Sequence, residues 1–510
     1  MKRLGIFLFL LLLLVSWGAH AQEMVTLKRV SPLDFGLREA QSGEERYNIL
    51  YQAHTEAVKR HLPLDYTGID TLFLDIPEGA KSIPLPPQTD FRGLVLFVRN
   101  NAQHLTLFSL AQSAQPIEIS KEQVASGNFT DIPELAQGTR LLILSDKNPW
   151  VAERIGYGSP AMRRDLLYLK EGIAQNAPVA PWNTPATDMQ CSYCAVDTAT
   201  KRIQNLTIHR DIHSSFKTCA FYISCQDNVK ISNITVTTPK SKLLADGIFS
   251  ISNSSHIELE DVTIDGTYSK AGVSTGYGYA FSLNNLYNTT FRHVVADGNW
   301  GVFGSNCLNM TTLEECDLNR FDIHCYGRDA SCRRCTFRNK QTQFSSMFGT
   351  VLFDSCTFID CIPLRIRSSY NAYTPFDVRF VDCTFHPTRL YHALVNLMLL
   401  DTNNNSRPEL SEKNIPNIAI ENLTVNMPAG LQKIILIDPT GSTRECIQRR
   451  WGYLSNITLN DVKTLRKNKP SSTKIYLSSR PITTANIVDI QLLNIQNNKA
   501  PVVTNIIDKN

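Results

Sequence analysis

Beyond an apolar stretch near its start, the chain has no long hydrophobic run, so nothing later in it reads as a membrane-spanning helix. It also has little net charge: 51 Lys and Arg against 47 Asp and Glu leave a formal +4. That balance argues against a nucleic-acid-binding protein and leaves any polyanion binding to local patches. Paired zinc ligands are missing too. Cys191 and Cys194 form a C-x-x-C, but no second C-x-x-C or His pair follows at zinc-finger spacing. A local disulfide or free thiols are expected there instead.

What the chain does have is one short phrase, repeated: polar, apolar, Thr or Asp, apolar. It reads Asn205-Leu206-Thr207-Ile208, Asn233-Ile234-Thr235-Val236 and Asp261-Val262-Thr263-Ile264. It returns at Glu315-Cys316-Asp317-Leu318, Arg334-Cys335-Thr336-Phe337, Ser355-Cys356-Thr357-Phe358 and Asp382-Cys383-Thr384-Phe385, with a looser copy at His293-Val294-Val295-Ala296 and a late one at Asn422-Leu423-Thr424-Val425. A period mostly in the twenties, written in β-type residues of alternating polarity, signals a solenoid. No single unit can bury its apolar face alone; stacking buries a continuous core.

The repeat also reinterprets two other features. Of thirteen cysteines, Cys316, Cys335, Cys356 and Cys383 occupy the slot that holds Leu, Ile or Val in other rungs. They read as a buried stack of small hydrophobes. Asn-x-Thr/Ser sequences at Asn205, Asn233, Asn288, Asn309, Asn422 and Asn456 are what a rung-corner Asn followed by a strand Thr writes by itself, so they are read as repeat features rather than glycosylation signals.

Five segments are expected. Residues 1–21, with Lys2-Arg3, an apolar run from Leu4 to Val15 and Ala19-His20-Ala21, have the three-part layout of a cleaved secretory signal. The protein is therefore expected to be exported, periplasmic or secreted. Residues 22–101 read as an N-terminal cap and first coils, with an amphipathic helix from Arg46 to Lys59 closing the open end of the stack. Residues 102–200 break the rhythm, either as a small inserted subdomain or as an irregular early part of the solenoid. Residues 201–387 are the regular coils, and 388–510 the C-terminal coils and cap.

In stacked coils, outward residues of successive strands line up in columns. Aligning the second strand of each coil puts Phe221, Ile223, Phe249, Ile251, Phe281, Leu283, Ile323, Cys325, Leu364 and Ile366 inside. Tyr222, Ser250, Ser282, His324, Tyr326, Arg365 and Arg367 are left on one outer face. Asp322 alternates outward with His324 and Tyr326, Arg328 sits at the following turn, and Asn299 and Trp300 lie at the bend before Phe303. Such a patch of imidazole, phenol, guanidinium and amide groups suits β-elimination in a uronic-acid polysaccharide. His324 would take the proton α to the carboxylate and Tyr326 would protonate the departing oxygen. Arg365 would stabilise the developing charge, and Asn299, Trp300, Asp322, Arg328 and Arg367 would bind substrate.

With its Asp34-Phe35-Gly36 phrase, capping helix and Ile83-Pro84-Leu85 strand, followed by these coils and this face, the chain resembles the right-handed parallel β-helix polysaccharide lyases over residues 33–387. Those closest in kind are bacterial enzymes acting on chondroitin or dermatan sulfate and hyaluronan. The resemblance implies an all-β right-handed parallel β-helix with an N-terminal capping helix, lyase activity on an acidic polysaccharide, and a monomer. Related pectate and alginate lyases often bind Ca²⁺ through acidic clusters; no tight Asp cluster lies on this face, so no cofactor is expected. Two rivals stand beside this reading. Ala245-Asp246-Gly247-Ile248 is similar to the first acidic phrase of polygalacturonase-like hydrolases, but Gly278-Tyr279-Ala280 stands where their Gly-Asp-Asp pair should follow. A non-catalytic glycan-binding β-helix is the third.

Overall fold

The computed structural model describes residues 29–100, 106–151, 161–179, 189–212, 219–237, 248–265, 279–296, 301–324, 326–344, 347–366, 376–388, 393–398, 417–431, 433–440, 457–471 and 474–478, with short strands at 482–483, 502–503 and 506–507. The signal-like segment 1–21 and the residues Asn299, Trp300, Cys325 and Arg367 lie outside the described residues.

Thirty strands form one hydrogen-bonded system, parallel except where Leu465 and Arg466 pair antiparallel with Lys469 and Pro470. This is the right-handed parallel β-helix expected. Each regular coil contributes to three walls. Wall A holds stretches such as 229–232, 257–260 and 289–292; wall B holds 206–209, 234–237 and 262–265. Wall C holds Phe221–Ser224, 249–252, 281–284, 303–306, Asp322–Ile323, Gln343–Phe344 and Leu364–Ile366.

The repeated phrase is the corner between walls A and B. Its first residue is left-handed in every coil: Asn205 (φ 63°), Asn233 (53°), Asp261 (54°), His293 (50°), Glu315 (52°), Arg334 (51°), Ser355 (55°), Asp382 (53°) and Asn422 (51°). Asn and Asp tolerate this conformation best among side-chain-bearing residues. Cross-coil bonds hold the column together. Asn233 Nδ2 donates to Asn205 Oδ1 (2.7 Å), Arg334 Nε to Glu315 Oε1 (2.9 Å) and Asn422 Nδ2 to Asp382 Oδ1 (2.7 Å). The next residue of the phrase turns inward. Leu206, Ile234, Val262, Val294, Cys316, Cys335, Cys356, Cys383 and Leu423 are all buried. The cysteines are free thiols, as the small-hydrophobe reading requires. Registered stacking also runs past residue 387, through Asn417–Glu421 to Ile457–Asn460.

Inside wall C a phenylalanine ladder rises through the stack. Phe108, Phe221, Phe249, Phe281 and Phe303 have ring centroids 5.5, 4.9, 5.3 and 5.1 Å apart. Each such pair adds about 0.5–1.5 kcal/mol beyond area burial. The ladder fixes wall C's register, and with it the outward column.

The capping helix α1 (Gly43–Arg60) begins at Ser42, whose side chain accepts from Glu45 N. Gly43 is required by packing: a Cβ there would lie 2.6 Å from the backbone nitrogen of Asp75. Tyr47, Leu50, His54 and Ala57 are buried against the core, whereas Val58 is exposed. His54 seals the end of the stack, with Nδ1 2.8 Å from Pro84 O and Nε2 2.5 Å from Tyr66 Oη.

Between the first coil and the regular coils sits a separate five-stranded antiparallel sheet, from Gln115–Ile117 to Met189–Ala195. It has its own core of Leu142, Leu144, Leu167, Leu169, Phe129 and Leu135. One face lies against the coils beside wall C: Asn285 Nδ2 donates to Asp165 O (3.1 Å) and Asn309 Nδ2 to Ala177 O (2.9 Å).

Candidate active site

The outward column of wall C can be read from the strand register. Tyr222 lies opposite Ser250, Ser250 opposite Ser282, and Ser282 opposite Gly304. The next coil pairs Ile323 with Ser305, so Asp322 follows Gly304. Asp322 then faces Gln343, Gln343 faces Arg365 and Arg365 faces Asn396. A run of three hydroxyl side chains, ended by Gly304, thus gives way to a stretch of ionisable and amide side chains.

The change begins at Gly304. A Cβ there would meet the ring of Tyr279 at 2.5–2.8 Å, so the missing side chain makes room for that ring. Tyr279 opens the strand Tyr279–Arg292 and leans over Gly304 to the following coil. There its hydroxyl lies 3.2 Å from His324 Nε2, with the two rings edge-on. His324 Nε2 is also 2.8 Å from Asp322 Oδ2. Asp322 is itself ion-paired to Arg320 and accepts from Gln343 Nε2 at 3.0 Å. A backbone bond from His324 N to Ser305 O (2.7 Å) fixes the imidazole's base.

Burial grades this cluster from support to working surface. Asp322 and Arg320 have 0 % and 3 % of their side chains exposed, while His324 keeps 15 %. A fully buried carboxylate is stable only when paired, and Asp322 has Arg320 and Gln343 behind it and His324 in front. A carboxylate on Nε2 favours the tautomer with its proton there, which leaves Nδ1 as the basic nitrogen. Arg365 is half-buried two coils further on, about 10 Å along the stack at strand spacing, and its Nε donates to Asn396 Oδ1 (3.0 Å).

The structure therefore places Asp322, His324 and Arg365 on one wall, but Asp322 is fully buried and contacts Arg320, Gln343 and His324, so it supports the imidazole rather than binding substrate, the role expected of it. Two other expected site residues are placed elsewhere. Tyr326 is fully buried, and its hydroxyl is held by the backbone N–H and carbonyl of Arg164 in the inserted sheet. Burial holds its pKa well above the usual phenol value, the opposite of what a general acid needs. The alternation that pointed it outward fails because the strand there is only Asp322–Ile323; past it the chain turns into wall A. Arg328 likewise belongs to the seam with the insertion, donating to Val179 O (3.2 Å) and lying over the Phe348 ring.

Tyr279, Arg320 and Gln343 are the residues that strand alignment missed. Gly304 was the available signal: in a column of Tyr222, Ser250 and Ser282, a residue with no side chain marks where something crosses.

One group of potential metal ligands occurs among the described residues, Glu260, Asp261 and His293. It lies at the corner of walls A and B, with the His293 nitrogens 3.1 and 3.2 Å from Asp261 and Glu315 carboxylate oxygens. These contacts continue the corner ladder.

Comparison with family models gives no match, and comparison with curated proteins gives none either. Among solved structures, the chain is similar to the tailspike protein gp49 from Pseudomonas phage LKA1, with a TM-score of 0.53 and 11 % identity over 94 % of this chain and 81 % of that one. It is also similar to the Gp54 tailspike of Acinetobacter baumannii bacteriophage AP22, solved in complex with A. baumannii capsular saccharide. There the TM-score is 0.47, with 11 % identity over 90 % of this chain and 79 % of that one. At that identity the likeness is one of fold. No helix among the described residues is long and apolar enough to cross a membrane.

Proposed function

We propose that this chain is an exported polysaccharide lyase. It cleaves a uronic-acid-containing polysaccharide, a glycosaminoglycan such as chondroitin sulfate or hyaluronan, by β-elimination on wall C. The observation that carries the reading is the Tyr279–His324–Asp322 cluster: an imidazole backed by a buried carboxylate and touched by a phenol, with Arg365 on the same column.

In this reading Arg365 faces the uronate carboxylate and stabilises the charge that builds on it as the C5 proton leaves. His324 Nδ1 takes that proton. The C5–H electrons form the C4–C5 double bond, and the C4–O4 bond breaks. The Tyr279 hydroxyl gives its proton to O4, and the site resets as His324 Nδ1 releases its proton to solvent and the phenolate takes one up. Asp322 stabilises the imidazolium between these steps. Proton transfers of this kind are worth about 10²–10⁴-fold each.

Hydrolysis needs two carboxyl groups, about 5–5.5 Å apart for retention or 6.5–9.5 Å for inversion. Along this column the positions after Asp322 are Gln343, Arg365 and Asn396, so among these residues no second carboxylate stands at either separation from Asp322.

The test is to incubate the protein with chondroitin, hyaluronan, pectate and alginate and follow both ultraviolet absorbance of the unsaturated uronate and new reducing ends. Both should rise together. Reducing ends without absorbance would make it a hydrolase, and retention of glycan with neither signal a binding protein.

A further inference from the structure

The strand Met189–Ala195 carries two cysteines three residues apart, and strand alternation sends them to opposite faces. Cys191 packs into the inserted sheet's own core. Cys194 turns towards the β-helix, 2 % exposed, in a cluster with Leu166 and Tyr168 of the inserted sheet and Cys225 and Tyr287 of the coils. The C-x-x-C therefore cannot close on one metal ion; each thiol looks to a different layer. Cys194's cysteine neighbour in that cluster is Cys225, 3 % exposed. Both are free in this structure.

Cys225 sits at a left-handed corner, φ 56°, that the next three coils fill with Asn253 (48°), Asn285 (58°) and Cys307 (55°). Of the two cysteines in this column, Cys225 is the one clustered with a cysteine of the inserted sheet, and two thiols that meet across the boundary are what a cross-link between the layers needs.

We propose that Cys194 and Cys225 are a disulfide site that fastens the inserted sheet to the β-helix beside wall C. The oxidant is a small-molecule or protein disulfide. The Cys225 thiolate, which accepts a hydrogen bond from Ser224 Oγ (3.8 Å), attacks one sulfur of that disulfide and releases its first thiolate. The Cys194 thiolate then attacks the Cys225 sulfur and releases the second. Two protein thiols are oxidised, one disulfide is reduced to two thiols, and the two protons move from the protein to the released thiolates. The bond would close a loop of 30 residues and tie two layers that otherwise meet through side-chain packing and hydrogen bonds.

The full chain is refolded in a buffer of oxidised and reduced glutathione and, separately, exposed to that buffer when folded. It is then alkylated in denaturant and digested with trypsin. Peptides 171–201 and 218–230 each hold two cysteines, so the experiment is repeated on the double variant Cys191→Ser/Cys219→Ser. The expected result is a cross-linked peptide pair two hydrogens lighter than its parts. It is retained in the double variant and lost in Cys194→Ser and in Cys225→Asn, which restores the residue type of the neighbouring corners. Complete alkylation of Cys194 and Cys225 under both regimes would overturn the proposal, as would a cross-link that survives Cys225→Asn.

Discussion

Two columns of polar residues run up this molecule, and they are built for different purposes. At the corner of walls A and B, nearly every coil contributes one left-handed polar residue, and many of these bond to the copy above or below. On wall C the column runs Tyr222, Ser250, Ser282 and then breaks at Gly304. Within two coils it gathers a phenol, an imidazole, a carboxylate and a guanidinium onto one another. Regular polar stacking is a property of the solenoid; the break in the stacking, filled by a residue from a neighbouring coil, is where the proposed chemistry is placed.

That contrast can be broken by substitution. The largest effect is expected at His324. His324→Ala should lower turnover by about 10²–10⁴-fold with circular dichroism unchanged, because the imidazole is at the surface of the cluster. Gly304→Ala comes next. The new Cβ would meet the Tyr279 ring, and displacing a proton donor by about an ångström can cost about 10²-fold. Turnover should fall while the strand register stays intact by hydrogen exchange.

Acid should weaken the capped end. Burial lowers the pKa of His54 from 6.5 to about 4. As pH falls the unfolded chain takes the proton first, so the stabilising effect is whole above 6.5 and is lost between there and about 4. The loss is about 3 kcal/mol, and urea titrations at pH 7 and pH 4 should differ by it; His54→Gln should flatten the difference. At the corner, Asn233→Ala should cost about 1–2 kcal/mol through the left-handed backbone. Asn233→Gly should cost less, and neither should alter turnover. A corner substitution that abolished turnover without unfolding would erase the distinction between the columns.

The two columns were not equally legible in sequence. The corner could be read because its phrase is local: four residues fix a turn, an inward apolar side chain and a strand. His324, Asp322 and Arg365 could be read because a two-residue period carries them to one side. Tyr279 could not, since its place depends on what is absent at Gly304, a coil away. Arg320 reaches Asp322 from outside the strand, where no periodicity applies. Tyr326 was misplaced for the converse reason: alternation was carried past the end of a two-residue strand. The backbone of Arg164, 162 positions earlier in the chain, then claimed its hydroxyl.

The most direct measurement sets the two tyrosines side by side, reading the initial rate of unsaturated uronate formation for Tyr279→Phe and Tyr326→Phe. Tyr279→Phe should fall by about 10²-fold. Tyr326→Phe should keep near-native turnover and instead lose about 1–3 kcal/mol of stability, from the Arg164 backbone groups left without their partner. Full activity in Tyr279→Phe, with the loss of turnover in Tyr326→Phe, would contradict the site described on wall C.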